Sequence, residues 1–500
     1  MVQADREAFR ISQMNIVEPI LFQCKLNPIA LAICVPGSKY GPVSYGMLER
    51  FIHNAARTAL KSGIAPGSLV ATYINDTVLH TSLTLALMFS GVTTLSLRGP
   101  KPVAGITPDV ILTDAPGKIS GGVTVLGVDQ SWLEDVGAAA MSVNALHNNA
   151  DDVCRIILTS GSTGVSKGVA FSHRALAARI AHYTYSKGPR FAHSSRFFCD
   201  LGIATSPGFR YAMSLLTRGG TIYFLGQEPS DILQIIDLHK VQGIATSPYG
   251  LAEFLKFFEA DTAFEVTFDH IICQGAMLSR ELSCRARARM CQNLYSSYGS
   301  TETTTVAFGP ASVLEKVPGA VGYIQPGVTV EALDSSGKIL PTLHDGALRI
   351  RTDHMAIGYV GDAEATQLFF RDGYFYSGDI GHLTPDGLLV ITGREKTALN
   401  IGGDTVHPEV VEQIIASFEG IREAGAFAIS NDLGILELSA LIVITGSIDL
   451  VALRNHCASR LPPSCVPVQF IVVDALPRGG QGKLERKRLP EIAAAKAEAV

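Results

Sequence analysis

Short apolar runs alternate with amphipathic helical patterns along most of the chain. The clearest helix is predicted from Tyr45 to Leu60, where apolar residues recur every three or four positions and Gly63 follows the end. Apolar runs that predict buried strands lie at Leu69–Ile74, Val110–Thr113, Arg155–Leu158, Thr221–Leu225, Gly243–Thr246 and His270–Cys273. Helical patterns between them lie at Ala175–Tyr185, Ile232–His239 and Leu251–Phe258. This alternation predicts buried, mostly parallel sheets flanked by helices.

The pattern changes after residue 320. Glycines there punctuate short β-prone runs such as Val328–Leu333 and Ala347–Arg351, which predicts a small antiparallel β subdomain over residues 320–394. Helical and strand patterns then return, at Pro408–Phe418, Glu437–Thr445, Val451–Arg460 and Val468–Asp474. We therefore expect an α/β (α+β) protein with a large N-terminal domain over residues 1–394 and a small α+β C-terminal domain over 395–500.

Composition and charge exclude several classes of protein. Hydrophobic residues make up 47% of the 500 positions and charged residues 17%, so a largely disordered chain is excluded. The balance of 41 basic and 46 acidic residues gives a net charge of −5, which leaves no bulk positive field for nucleic acid or an anionic membrane. Leu79–Leu97, the most apolar stretch, is interrupted by hydroxyl residues and His80, which favours a buried helix and strand over a membrane span.

Cysteine usage bears on the compartment. The nine cysteines form an odd set without any C-x-x-C pair, which predicts reduced thiols rather than a disulfide framework or a Cys-rich zinc site. The polar and charged stretch 1–15 does not have the pattern of a secretory signal. We therefore expect a cytoplasmic protein that binds neither nucleic acid nor membrane, and the sequence leaves its oligomeric state open.

The stretch after the predicted strand Arg155–Leu158 is rich in groups that bind phosphate. It reads Thr159-Ser160-Gly161-Ser162-Thr163-Gly164-Val165-Ser166-Lys167-Gly168. Glycines let backbone amides converge on an anion, hydroxyls donate hydrogen bonds, and Lys167 adds a positive charge. The spacing differs from the G-x-x-x-x-G-K-[ST] loop, which argues against a P-loop kinase. The residues alone leave a polar surface loop as the alternative.

Five ordered motifs resemble those of the adenylate-forming superfamily, which includes acyl-CoA ligases, stand-alone adenylation domains and luciferases. The loop at 159–168 is the first, and Tyr298-Gly299-Ser300-Thr301-Glu302 resembles the family's Y-G-x-T-E motif. The others are Tyr376-Ser377-Gly378-Asp379, Gly393-Arg394-Glu395-Lys396, and the stretch L-P-R-G-G-Q-G-K-L at 476–484 that contains Lys483. The resemblance spans roughly residues 30 to 490. It implies that the small C-terminal domain is mobile.

The resemblance implies that a small-molecule carboxylic acid is activated with ATP and Mg²⁺ to an acyl-adenylate, then transferred to CoA with release of AMP and pyrophosphate. Thr301 matches the donor to the α-phosphate, Glu302 the Mg²⁺ ligand, and Lys483 the lysine that stabilises the adenylation transition state. Tyr298 matches the adenine-stacking aromatic and Asp379 the ribose carboxylate. The other positions that match nucleotide or CoA contacts are Thr159, Ser160, Gly161, Ser162, Thr163, Gly164, Lys167, Gly275, Ala276, Gly299, Arg394 and Gly402.

Some positions depart from the family's pattern. Thr397 stands where the family's hinge residue is usually Asp. The stretch 201–210, where the family usually has an aromatic or His that gates acyl entry, contains no His. Phe209 is then a candidate wall of the acid pocket. Arg210 either pairs with a second carboxylate on the substrate or, as the more common interpretation, lies on a helix surface. Arg486 and its basic neighbours are expected to form a solvated helix start.

Two other functions remain open from the sequence. The same motifs fit two kinds of enzyme: a CoA ligase, and an enzyme that passes its acyl group to a separate carrier protein. A non-catalytic nucleotide or acyl-adenylate binder is the second alternative. The intact residues Lys483, Glu302 and Asp379 argue against this binder.

Overall fold

The computed structural model describes residues 15–101, 103, 105–119, 122–134, 149–159, 166–226, 232–260, 268–395, 397, 399–401, 404–430, 436–479 and 482–497. The helices are α1 (Glu18–Leu26), α2 (Tyr45–Lys61), α3 (Thr77–Phe89), α4 (His173–Tyr185), α5 (Pro189–Ala192), α6 (Ser206–Leu216), α7 (Ile232–Leu238), α8 (Pro248–Ala260), α9 (Arg280–Arg289), α10 (Ala311–Leu314), α11 (Ala363–Phe369), α12 (Pro408–Ala416), α13 (Leu450–Ala458) and α14 (Leu489–Ala497).

The strands follow in the same chain order. They are β1 (Leu31–Cys34), β2 (Val43–Ser44), β3 (Leu69–Tyr73), β4 (Thr93–Ser96), β5 (Val110–Thr113), β6 (Thr124–Gly127), β7 (Val153–Leu158), β8 (Gly168–Ser172), β9 (Arg196–Cys199), β10 (Thr221–Tyr223), β11 (Gly243–Thr246), β12 (His270–Gln274), β13 (Leu294–Ser300), β14 (Thr304–Pro310), β15 (Ala320–Ile324), β16 (Val328–Leu333), β17 (Gly346–Thr352), β18 (Phe370–Arg371), β19 (Tyr374–Leu383), β20 (Leu388–Arg394), β21 (Leu399–Ile401), β22 (Asp404–Val406), β23 (Ile421–Ser430), β24 (Leu436–Ile444) and β25 (Gln469–Val472).

The chain divides into two compact units, each built from separate stretches of sequence. The first unit comprises Met1–Ala245, Ser300–Thr304 and Asp353–Asp372, and the second comprises Thr246–Gly299, Thr305–Thr352 and Gly373–Val500. The whole is a mixed α/β protein with a large N-terminal sheet region and a smaller C-terminal domain, as the sequence predicts. The boundary near residue 394 stays a prediction.

The first unit contains the mostly parallel sheets. One sheet runs β6-β5-β3-β4-β7-β8, and its strands are parallel except for the last pair. The second runs β11-β9-β10-β1-β2 within this unit and is parallel except for β1 and β2. Because buried parallel strands need apolar side chains on both faces, their sequences are continuous apolar runs rather than alternating ones. Ala71, Leu95, Ile111 and Ile156 pack together in the core of the first sheet.

The apolar stretch around residue 80 is a buried helix followed by a strand, as predicted. Helix α3 starts at the Asp76 cap, whose side chain accepts from the Leu79 amide, and strand β4 begins four residues after the helix ends. From Val78 onward, the hydroxyl residues of α3 are buried with its apolar ones, because the helix lies in the interior of the unit. In the part of the chain that the structure describes, no helix combines the length and apolar character that a membrane crossing needs.

The second unit contains a series of antiparallel strand pairs. Strands β12 and β13 are parallel, whereas the pairs β14–β15, β15–β20, β19–β20, β17–β19 and β16–β17 are antiparallel. Asp379 pairs with Arg394 across β19 and β20, so two of the predicted site residues are brought together by strand register. Val306, Val330, Leu348 and Leu389 are buried in the core of this region.

The C-terminal residues form the small α+β region that the sequence predicts. Strands β23 and β24 are antiparallel, β25 adds in parallel, and helices α12 and α13 cover one face of this sheet with a buried apolar cluster. The expectation of a solvated Arg486 is wrong. Its guanidinium bonds the carboxylates of Glu409 at 3.1 Å and of Glu412, and its side chain is only 23% exposed. This ion-pair network connects α12 to the residues that follow the Lys483 motif.

Candidate active site

A buried carboxylate in the second unit gathers two predicted nucleotide contacts. Asp379 is 4% exposed and lies on β19 just after Gly378, whose φ of +71° lets the strand turn the carboxylate inward. The Tyr298 hydroxyl donates to Oδ2 of Asp379, and Arg394 Nε donates to Oδ1 at 2.8 Å. The three residues, which are as much as 96 positions apart in sequence, form what we call the Asp379 cluster.

The electrostatics of this cluster fix the protonation of its members. Burial first, and then the Asp379 carboxylate, raise the pKa of the Tyr298 hydroxyl well above its usual value. Asp379 also raises the pKa of Arg394. Tyr298 is therefore a neutral phenol that donates its proton, and Arg394 is a cation. A carboxylate has about four acceptor positions, so Asp379 retains acceptor capacity beyond these two bonds.

Three more predicted nucleotide contacts lie in exposed backbone of the same unit. Gly275 and Ala276 follow β12 directly, and both are exposed, as is Gly299 near the end of β13. Gly275 has a φ of +92°, which strains any other residue, and a side chain built there would meet no atom within 4 Å. The end of β12 therefore offers bare, accessible backbone.

The two ends of the predicted phosphate loop meet in the first unit. The Thr159 amide donates to the Lys167 carbonyl at 2.8 Å, and the Lys167 amide donates to Thr159 Oγ1 at 3.2 Å. Strands β7 and β8 are antiparallel neighbours, so the loop is a connection at one sheet edge. The loop residues Ser160, Gly161, Ser162, Thr163 and Gly164 lie outside the described residues.

A second buried carboxylate, Glu302, lies in the first unit. It is 6% exposed, and the Tyr359 hydroxyl donates to its Oε1 at 2.8 Å. Burial, followed by the Glu302 charge, raises the pKa of Tyr359 far above its usual value, so the phenol keeps its proton and remains a donor. The adjacent Thr301 is partly exposed.

Arg179 holds the backbone on which Thr301 and Glu302 lie. Its guanidinium donates to the carbonyls of Thr301 at 2.8 Å, Glu302 at 2.6 Å and His354 at 2.6 Å. Burial, followed by repulsion from Arg210, lowers the pKa of Arg179 to about 9, and the Glu302 carboxylate opposes this. Two charge-assisted bonds hold the Thr301–Glu302 turn, and the third ties it to the backbone at His354. The following Thr304 has a φ of +63°, an unfavourable value for a β-branched residue.

Lys167 is engaged by a carboxylate of its own unit. Its Nζ forms an ion pair with Asp362 Oδ2 and lies 5.4 Å from the centre of the Tyr359 ring. Asp362 also caps helix α11 by accepting from the Ala365 amide at 2.9 Å. The Lys167 hydrogen bond lowers the pKa of Asp362, so this carboxylate is ionised at neutral pH. Lys167, Tyr359 and Asp362 therefore form one network beside Glu302.

A small pocket lies elsewhere in the first unit. Its walls include Ile157, two residues before the phosphate loop, and the predicted wall residue Phe209 of α6. Its cavity volume is about 10 Å³, which is room for about one water molecule. Arg179 and Arg210 also line it. Because Arg179 also bonds the carbonyls of Thr301 and Glu302, the pocket lies next to the turn that carries these two predicted contacts.

Comparison with protein families decides the class. The profile of the AMP-binding enzymes matches residues 109–360, and that of the AMP-binding enzyme C-terminal domain matches residues 410–483. The chain belongs to the AMP-binding enzyme family. The first match contains the phosphate loop and Glu302, and the second ends at Lys483.

Curated relatives of this AMP-binding enzyme include ligases and other enzymes. The 4-chlorobenzoate–CoA ligase of Arthrobacter sp. is 26% identical over 496 residues, which cover 95% of this chain and 94% of the relative. The 2-succinylbenzoate–CoA ligase of Listeria monocytogenes is 25% identical over 343 residues, 67% of this chain and 69% of the relative. Luciferin 4-monooxygenase of Photuris pensylvanica is 29% identical over 365 residues, 69% of this chain and 65% of the relative.

Solved structures share the fold over nearly the whole chain. ATP-bound MatB from Rhodopseudomonas palustris superposes with a TM-score of 0.81 at 24% identity, covering 96% of this chain and 99% of that one. The amide bond synthetase McbA from Marinactinospora thermotolerans has the same TM-score and coverage at 21% identity. At these identities the likeness establishes the fold alone.

The remaining predicted residues lie in the second unit. Lys483 is exposed in a hairpin whose strands are joined by a bridge between Arg478 and Leu484. Thr397, at the hinge position, donates from its hydroxyl to Glu409 Oε1 at 2.9 Å. That bond ties the hinge to the same carboxylate that Arg486 contacts. Gly402 lies outside the described residues.

The sequence did not predict three residues that lie in the site. Tyr359, Asp362 and Arg179 contact predicted site residues from positions 57, 195 and 123 residues away. The dipeptide Gly358-Tyr359, followed by Asp362 at the start of a helix, is the only local signal for the first two. Arg179 looks in sequence like an ordinary helix arginine, and nothing local marks it.

Proposed function

We propose that this AMP-binding enzyme is an AMP-forming carboxylic acid–CoA ligase. It joins an acid to the α-phosphate of ATP, releases pyrophosphate, and transfers the acyl group from AMP to the thiol of CoA. The Asp379 cluster carries the nucleotide half of this proposal, because it presents a buried carboxylate with spare acceptor capacity beside an aromatic ring. The relative from Arthrobacter, similar over 95% of the chain, supports CoA as the acceptor.

The Asp379 cluster binds the nucleoside in this proposal. The carboxylate accepts from the two vicinal ribose hydroxyls, and Arg394 holds it in place. Tyr298 offers its ring face to adenine while its hydroxyl is fixed on Asp379. The bare backbone at Gly275 and Ala276 allows a flat base to approach closely, and Gly299 does the same after Tyr298.

Residues of the first unit bind the phosphates of ATP in this proposal. The loop from Thr159 to Gly164 binds the β- and γ-phosphates through amides and hydroxyls, and Lys167 supplies charge once it exchanges Asp362 for phosphate. Thr301 donates to the α-phosphate from a turn that Arg179 holds rigid. Donors fixed before the reaction stabilise the charge of the transition state without reorganising.

Glu302 fits a magnesium ion that arrives with ATP. The described residues contain no group of three or more acidic, His or Cys side chains able to hold a metal. Mg²⁺ is usually held by one or two carboxylates, substrate phosphates and water, so a lone buried carboxylate beside hydroxyls suits it. Bound there, Mg²⁺ neutralises phosphate charge. Tyr359 orients the carboxylate for this role, as outer-shell donors do for metal ligands.

The C-terminal residues complete the proposed cycle. Lys483 stabilises the transition state of adenylation from its exposed hairpin, and the small domain over residues 395–500 then swings about the segment that contains Thr397. Gly402 lets the pantetheine arm of CoA pass close to the backbone. A stand-alone enzyme that loads a carrier protein shares the first step and differs only in the thiol it accepts.

Pyrophosphate–ATP exchange with purified protein tests the first step. With ATP, Mg²⁺ and a panel of aromatic, aliphatic and dicarboxylic acids, we expect exchange that depends on one class of acid and does not require CoA. Exchange with an acid but no thioester on adding CoA would favour a carrier protein as the acceptor. Nucleotide binding without exchange for any acid would favour the non-catalytic binder and contradict the proposal.

A further inference from the structure

The hairpin that carries Lys483, residues 478–484, is held by bonds among its own residues. The Gly479 amide donates to the Lys483 carbonyl at 2.9 Å, and the Gly482 amide donates to the Gly479 carbonyl at 2.8 Å. The Arg478 guanidinium donates to the Gly482 carbonyl at 2.5 Å. These bonds fix the backbone of Gly482 relative to that of Lys483, so whatever Gly482 packs against also places Lys483. We call this segment the Lys483 hairpin.

Gly482 packs directly against the side chain of Tyr249. A Cβ built on Gly482 would lie 2.5 Å from the Cβ of Tyr249 and 3.0 Å from its Cγ, well inside van der Waals contact. Both residues belong to the second unit. Gly482 also has a φ of +70°, which glycine adopts without strain. Space and backbone angle therefore both require glycine at this position, and Tyr249 sets the limit on space.

Tyr249 lies on the first turn of α8, where its backbone is fixed. The Ser247 hydroxyl accepts from the Gly250 amide at 3.1 Å, and the Ser247 carbonyl accepts from the Leu251 amide at 2.8 Å. Leu251 and Phe254 are buried and anchor the helix. Tyr249 is 52% exposed. A half-exposed aromatic side chain on a fixed helix start is suited to a contact that forms and breaks, because parting from it uncovers no core.

We propose that Tyr249 is a positioning residue that docks the Lys483 hairpin for the adenylation step. Through Gly482 it sets where the Lys483 ammonium lies, and the contact breaks when the small domain over residues 395–500 swings for thioester formation. This inference rests on the proposed ligase function and adds the surface that the moving domain uses in its first step. Tyr249 touches no reacting atom in this proposal and acts only through the hairpin.

The two half-reactions separate this role from a purely structural one. A residue that only stabilises the fold slows both half-reactions, or neither, in protein that remains folded. A residue that docks the Lys483 hairpin slows adenylation, because misplacing a catalytic group by about 1 Å can cost about 100-fold in rate. It leaves the transfer of a preformed acyl-adenylate to CoA unchanged, because Lys483 has no part in that step of the proposed cycle.

The atoms in contact identify the conservative variant. The three atoms nearest to a Cβ built on Gly482 are Cβ, Cγ and Cδ1 of Tyr249, and the hydroxyl is not among them. Tyr249→Phe therefore keeps the surface that faces the hairpin, whereas Tyr249→Ala removes the ring. Gly482→Ala tests the same contact from the other side, because its added methyl group collides with Tyr249.

Each disruptive variant has a matched control. Tyr185→Ala removes a tyrosine that is 69% exposed at the end of α4, away from the hairpin's unit. Gly446→Ala adds a methyl group at a glycine whose φ is +78° and whose built Cβ would meet no atom within 4 Å. It therefore imposes the backbone strain of Gly482→Ala without the collision. Thermal unfolding reports whether each variant is folded.

Both half-reactions are measured with the acid of the panel that gives the fastest pyrophosphate–ATP exchange. At saturating ATP, we expect Tyr249→Ala and Gly482→Ala to slow single-turnover adenylation about 10- to 100-fold and to leave thioester formation from preformed acyl-adenylate within about twofold. Tyr249→Phe and both controls should keep both rates. Unchanged adenylation, equal losses in both half-reactions, or a loss confined to thioester formation in folded Tyr249→Ala would overturn the assignment. Should Tyr249→Ala fail to fold, Gly482→Ala measured against Gly446→Ala decides.

Amide hydrogen exchange tests the docking without any acid. The amides of Gly479 and Gly482 are bonded inside the Lys483 hairpin. We expect a peptide that spans residues 478–484 to exchange roughly 10-fold faster in Tyr249→Ala than in the unaltered protein, Tyr249→Phe or Tyr185→Ala. Unchanged exchange of this peptide would overturn the docking contact. Faster exchange in a protein that activates no acid would support the contact and refute the proposed function.

Discussion

Replacing Asp379 by Asn tests the proposed ribose contact most sharply. The substitution keeps the shape of the side chain and one carbonyl oxygen for Tyr298, but it removes the charge and one acceptor. Asp379 is 4% exposed, so water competes little for its oxygens. Hydrogen bonds to a charged group contribute about 1.5–3 kcal/mol each, and we expect Asp379→Asn to weaken ATP binding by about 2–4 kcal/mol.

That free energy corresponds to a loss of roughly 30- to 700-fold in affinity for ATP. The effect on folding should be small, because the Arg394 side chain is 50% exposed and solvent screens its ion pair with Asp379. Isothermal titration with ATP measures the affinity, and the exposed Asp474→Asn is the matched control.

A second nucleotide separates ribose recognition from general damage. The compound 2′,3′-dideoxy-ATP lacks both hydroxyls that Asp379 would accept from. We expect the unaltered enzyme to bind it about as weakly as Asp379→Asn binds ATP, and Asp379→Asn to lose nothing further. If Asp379→Asn weakens ATP and dideoxy-ATP by the same factor, the carboxylate does not bind the ribose and the reasoning is refuted.

Three further predictions concern the metal ligand, the transition state and pH. Tyr359→Phe removes the donor to Glu302 and should raise the Mg²⁺ concentration for half-maximal exchange about tenfold. Lys483→Ala should slow adenylation by about 3–4 kcal/mol while leaving thioester formation from preformed acyl-adenylate intact, which rapid-quench assays of each half-reaction measure. Burial and the nearby Arg155 lower the pKa of His80 to about 3, so the unfolded chain binds this proton first and stability falls as pH drops from 6.5 toward 3. The free energy of unfolding, measured in urea, should therefore fall between about pH 7.5 and about pH 5.5 by about 1.3 kcal/mol less in His80→Gln than in the unaltered protein.

Each of these three has its own control. Exposed Lys487→Ala should leave both half-reactions unchanged, and an equal collapse of both in folded Lys483→Ala would contradict its assigned role. Exposed His344→Gln should keep the full pH dependence of stability. An unchanged slope in His80→Gln would show that His80 is not neutral in the folded protein. A Mg²⁺ requirement unaffected by Tyr359→Phe would remove Tyr359 from the positioning of Glu302.

The sequence predicted the buried strands and amphipathic helices because the local spacing of apolar residues indicates which faces are buried. Strands β5 and β11 end where the apolar runs end. Helix α8 begins three residues before its predicted start, since Ser247 accepts from the Gly250 amide and Pro248 suits the first turn. Where a helix begins or ends depends on such single capping bonds, and the pattern of apolar residues does not show them.

Charged residues inside the fold were the part that sequence patterns missed. Arg155 is fully buried on β7, where it donates to Thr94, Ser96 and the Ile203 carbonyl. Arg210 faces inward for a similar reason, because other elements surround its helix completely. Local sequence predicts that an arginine is exposed, whereas packing between distant segments decides whether it is.

Transfer of the acyl group from the adenylate to CoA is tested by identifying the products of the complete reaction. The purified protein is incubated with ATP, Mg²⁺, CoA and the acid that supports pyrophosphate exchange, and the products are identified by mass. We expect an acyl-CoA thioester formed in equal amount with AMP, and no thioester when CoA is left out. AMP or acyl-adenylate that accumulates at the same rate with and without CoA, and without thioester, would contradict it.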